Sequence, residues 1–75
     1  MGGFGARLKA ARLEAGLKQT VAADAVGVAQ SAISQYENDL HEPPMSVLVR
    51  MAVAYGCTTD YLCMLVDERD AVWHP

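Results

Sequence analysis

Apolar residues recur along this chain at intervals of three and four, the mark of helices that bury one side. Phe4, Leu8, Ala11 and Ala15 form one stripe, which predicts a first helix over residues 5–15 with Gly16 as its stop. A second helix is expected over residues 19–26, with Val21, Ala22, Ala25 and Val26 available to face inward and Gly27 ending it. A third, over residues 30–37, turns Ile33 and Tyr36 to the core before Asn38-Asp39 favours a turn. Pro43-Pro44 suits the first turn of a fourth helix, on which Leu48, Met51, Ala52 and Tyr55 share a face and Gly56 closes the run. Thr58 suits the N-cap of a fifth helix over residues 59–66, with Leu62 and Leu65 inward. Few segments alternate with period two, so no sheet is expected. The pattern predicts an all-α fold, a compact five-helix bundle.

Seventy-five residues suffice for one domain with a small core, expected over about residues 4–66 with a tail at 67–75. The chain is 52% apolar, and twelve of those residues are Ala, which favours helices that pack closely. No apolar run reaches membrane-spanning length and the start lacks the apolar core of a signal peptide, so a cytoplasmic protein is expected. Cys57 and Cys63 read as buried free thiols; with His74 they fall short of a metal site, and no metal, cofactor or small-molecule ligand is expected. No catalytic Ser/His/Asp arrangement or phosphate loop is visible, and His41 reads as a loop residue, so no enzyme is expected.

Residues 19–38 carry the functional signal. Two short helices meet at Gly27, and the second displays uncharged hydrogen-bonding side chains at Gln30, Ser31 and Ser34. That is the plan of a helix-turn-helix, whose second helix can lie in the major groove of DNA. Around it stand Arg12 and Gly16-Leu17, then Gln19, Ala23, Gly27, Ile33 and Tyr36-Glu37-Asn38, and finally Ala54-Tyr-Gly-Cys-Thr-Thr-Asp-Tyr-Leu62. In this order and spacing the chain resembles the phage repressor and Cro-type (XRE) helix-turn-helix family over about residues 4–66, and the resemblance implies a lambda-repressor-like fold.

The resemblance implies base reading by the start of helix three. Gln30 leads, since its amide donates and accepts at once and matches adenine N6 and N7. Ser31 and Ser34 specify less, and Gln35 reaches a base or a phosphate. It assigns phosphate contacts to Gln19 and Asn38, with Lys18 adding charge, and the N–H groups opening helices two and four offer further anion sites. It also implies an Arg12–Glu37 ion pair locking helix one to helix three.

Charge pulls the other way. The net charge is −3, yet residues 1–23 carry Arg7, Lys9, Arg12 and Lys18 against Glu14 alone. Residues 24–75 set Arg50 and Arg69 against eight acids, among them Asp39 and Glu42 in a loop where relatives often carry Lys or Arg. Position 18 holds Lys and position 29 holds Ala where caps are common. A shallow salt dependence follows, equivalent to about 2–4 neutralised phosphates per protomer. Val53 lies far from the core arc of helix four and Val47 at its edge; with Met64, Val66, Val72 and Trp73 they suggest a C-terminal self-association surface and a homodimer on a two-fold site. Asp67-Glu68-Arg69-Asp70 reads as solvated. Two functions stay open: a sequence-specific regulator of double-stranded DNA, repressor or antitoxin-type autorepressor, or a protein-interaction module whose acidic loop has cost it DNA affinity.

Overall fold

The computed structural model describes residues 3–75. It contains five helices in chain order: α1 (Gly5–Glu14), α2 (Gln19–Val26), α3 (Gln30–Glu37), α4 (Met45–Tyr55) and α5 (Thr59–Leu62). No strand occurs among the described residues. α2 packs on both α3 and α4, while α1 packs on α3, α4 and α5. Leu8, Val26, Ile33, Met51, Tyr55 and Leu62 are fully buried at the centre. Ala11, Ala22 and Ala23 fill the crossings, where a larger side chain would hold the helices apart.

Local chemistry explains the joints. Gly27 takes φ +82°, a region that costs a residue with a Cβ, and the chain reverses there with Gly27 and Val28 both donating to the Ala23 carbonyl. Thr58 caps α5 by accepting from the Tyr61 N–H at 3.0 Å. Gly5 is required by close approach: a Cβ there would collide with the Glu37 carbonyl at the end of α3.

Several sequence expectations need correction. The fifth helix stops at Leu62, four residues early, because Met64 adopts φ +62° and lets Leu65 donate back to the Asp60 carbonyl at 2.9 Å. Leu65 is therefore exposed, not inward. α4 begins at Met45, and Pro44 is its N-cap. Val21 and Ala25 face solvent, since the crossings of α2 take only Ala22, Ala23 and Val26. Val47 is buried rather than marginal, whereas Val53 is 79% exposed. Cys57 and Cys63 are free but only half-buried, and that burial raises both thiol pKa values.

The largest departure is residues 66–73, which are docked rather than loose. The Thr58 N–H donates to the Arg69 carbonyl and its hydroxyl to the Ala71 carbonyl, both at 2.8 Å. Arg69 turns inward, donating to the Ala11 and Tyr55 carbonyls and pairing with Glu14 at 2.6 Å. Arg7 reaches the same place from α1, donating to the Tyr61 and Val66 carbonyls at 2.9 and 2.7 Å. Its guanidinium lies 4.3 Å from the Tyr61 ring centroid, and that of Arg69 5.7 Å, so both stack on one aromatic ring. Two arginines thus satisfy carbonyls at the C-terminal ends of three helices, where the helix dipole favours positive charge.

Candidate nucleic-acid interface

Glu37 is the centre from which the polar face is built. Its carboxylate accepts from Arg12 Nε at 2.7 Å and Arg12 Nη2 at 3.0 Å, a fork in which both side chains are almost fully buried. Arg12 also donates to the Leu17 carbonyl at 2.8 Å, fixing the turn between α1 and α2. The bond to Glu37 raises the Arg12 pKa, so the guanidinium stays charged.

Glu37 Oε1 accepts once more, from Gln19 Nε2 at 3.1 Å. A carboxylate only accepts, so this bond fixes which way the Gln19 amide points. The Gln19 oxygen then faces outward and accepts from Gln30 Nε2 at 3.4 Å. A chain of bonds therefore runs from the buried ion pair to an exposed side chain in the first turn of α3. Gln30 keeps one N–H and its carbonyl oxygen free.

Gln30, Ser31 and Gln35 are exposed and Ser34 is half-exposed. Ile33, on the opposite side of α3, is fully buried and anchors the helix. Asn38 donates to the Ser34 carbonyl at 2.8 Å, closing the end of α3. Lys18 is the exposed N-cap residue of α2, and neither it nor Ala29 at α3 makes a side-chain cap bond. The opening N–H groups of both helices are thus left without a side-chain partner.

Asp39 is the residue whose role sequence reasoning missed. It sits at φ +60°, and its carboxylate accepts from the Gly5 N–H at 3.0 Å, 34 positions away. The acid serves the N-terminus of α1, where the dipole favours negative charge. Arg50 has a similar structural task, donating to the Val26 carbonyl at 2.7 Å where α2 ends. Of six basic residues, Arg7, Arg12, Arg50 and Arg69 all bind groups within the fold, leaving Lys9 and Lys18 as the exposed lysines.

These features define a small helical domain whose third helix shows solvent the uncharged polar side chains of Gln30, Ser31, Ser34 and Gln35. A helix-turn-helix family model matches residues 8–62, and the chain belongs to that family. It is 38% identical over 59 residues to the HTH-type transcriptional regulator ImmR of Bacillus subtilis (strain 168), a match covering 79% of this chain and 46% of ImmR. The uncharacterized HTH-type transcriptional regulator YobD of the same strain is 33% identical over 64 residues, covering 85% of this chain and 57% of YobD. The chain spans about half the length of these curated relatives. Among solved structures it resembles the P22 c2 repressor in complex with a synthetic operator, with TM-score 0.76 and 34% identity over 83% of this chain and 94% of that one. The biofilm regulator SinR in complex with DNA gives TM-score 0.72 and 29% identity over 77% of this chain and 97% of that one.

Proposed function

We propose that this chain is a sequence-specific regulator of double-stranded DNA, of repressor type, that inserts the start of α3 into the major groove. The observation that carries the reading is the Glu37–Gln19–Gln30 chain of bonds. It leaves one donor and one acceptor on Gln30, the complement of adenine N7 and N6. Holding the amide in advance spares part of the ordering cost of binding. Ser31 and Ser34 add hydrogen-bonding capacity of lower selectivity, with Gln35 one turn further along. Lys18, Gln19 and Asn38 take phosphates, helped by the uncapped openings of α2 and α3. The P22 c2 repressor bound to a synthetic operator and SinR bound to DNA support DNA as the partner here.

The regulator acts by occupying its site, with no chemistry on a substrate and no cofactor, in the cytoplasm. With few free cations, affinity per domain is modest, and a homodimer on half-sites about one helical turn apart supplies the rest. Val47 is buried and drops out of the self-association surface expected from the sequence, which we place on the exposed Val49 and Val53 of α4 rather than on Met64, Val66, Val72 and Trp73. The interaction-module reading rests on the acids Asp39 and Glu42. It is weakened by Asp39, whose carboxylate serves α1 instead of facing a partner.

Selection of bound fragments from a random DNA pool at low salt tests this reading. A two-fold motif should be enriched by the wild type and lost with Gln30→Ala. A folded protein that enriches nothing would move the assignment to the interaction module.

A further inference from the structure

The docked segment builds a surface that α3 does not use. Asp60 holds it together: its carbonyl accepts from the Leu65 N–H at 2.9 Å and its carboxylate from the Trp73 N–H at 3.0 Å. Met64, Leu65, Val72 and Trp73 are each about half exposed there, a dense run for so short a stretch. The neighbouring charges are acidic. Glu68 and Asp70 are exposed and Asp67 is bonded to Arg7, while the segment's only cation, Arg69, is turned into the fold. The family match ends at residue 62, so this surface lies outside the shared part of the domain.

We propose that this acid-rimmed apolar surface docks a basic amphipathic segment of a partner protein. Apolar side chains of the partner would cover Trp73 and Leu65, and its Lys or Arg residues would meet Glu68 and Asp70. A second copy docking symmetrically would place these acids against one another, which disfavours it as the occupant. α5 packs on α1 and α4, whereas the residues proposed to meet DNA lie on or beside α2 and α3.

Trp73 is the only tryptophan, so its fluorescence reports on the surface directly. The test titrates the 75-residue chain with a synthetic amphipathic peptide of leucine and lysine, and with its leucine–glutamate counterpart. The basic peptide should shift Trp73 emission to the blue and the acidic one should not. Glu68→Gln/Asp70→Asn should weaken binding roughly tenfold. The charge-matched Asp24→Asn/Glu42→Gln, altering exposed acids elsewhere, should leave it unchanged. No shift, an equal response to the acidic peptide, or equal weakening by both variants would overturn the proposal. A shift that grows with protein concentration alone would also overturn it, by making a second copy the occupant.

Discussion

Two ion pairs anchored two residues apart near the end of α1 show how differently the same chemistry can be used. Arg12–Glu37 joins α1 to α3 with side chains only 7% and 2% exposed, whereas Arg69–Glu14 joins the C-terminal segment to α1 with side chains 30% and 47% exposed. The first is dry, bidentate and continues through Gln19 to Gln30 on α3. The second is wet and shares its partners, since Glu14 also accepts from the Tyr61 hydroxyl at 2.8 Å. The buried pair governs whether the polar face exists at all; the exposed one governs how firmly the end of the domain is closed.

The two pairs should differ most at Glu37. Glu37→Ala leaves the Arg12 guanidinium buried without a counter-charge and should cost about 3–5 kcal/mol in chemical denaturation. A loss near zero would mean that the pair is solvated and the contrast false. Arg69→Ala removes bonds to the Ala11 and Tyr55 carbonyls and to Glu14, and should cost about 1–2 kcal/mol after allowance for exposure. A cost equal to that of Glu37→Ala would erase the distinction between the two pairs.

Acid sharpens the same contrast. Bonds from Tyr61 and Arg69 hold the Glu14 carboxyl below its ordinary pKa, so folding favours its ionised form. Its contribution is complete above the ordinary carboxylate range and is lost as pH falls through the folded-state value. Glu14→Gln should therefore flatten the acid limb of a stability-against-pH curve; an unchanged limb would exclude Glu14 as its source. The smallest effect is expected at Tyr55, whose buried hydroxyl has no hydrogen-bond partner and whose pKa is pushed up to about 12, mainly by burial. Tyr55→Phe removes that unpaired group and should change stability by less than about 1 kcal/mol, or raise it. A larger loss would reveal a partner for the hydroxyl.

What the sequence made legible was local. The turn at Gly27, the Thr58 cap and the apolar stripe of α4 follow from spacing and from residue type. What it hid was long-range. Asp39 reads as an acid placed against DNA until its bond to Gly5 is seen, and Arg69 reads as part of a solvated tail until its three helix-end partners are seen. Met64 carries no sign of the left-handed conformation that ends α5, since glycine is the usual residue there. The face of α3 could be placed from periodicity, but the bonds that orient Gln30 pass through Gln19 and Glu37, 11 and 18 positions apart in turn.

The function proposed for α3 depends on a pre-oriented amide at Gln30 rather than on bulk positive charge. Its most direct test is the salt dependence of binding to the selected DNA site, measured for the wild type and Gln30→Ala. The slope should be shallow, equivalent to about 2–4 phosphates per protomer, with Gln30→Ala losing about 1–3 kcal/mol of affinity at unchanged slope. A slope as steep as that of a strongly basic repressor, or full affinity in Gln30→Ala, would contradict it.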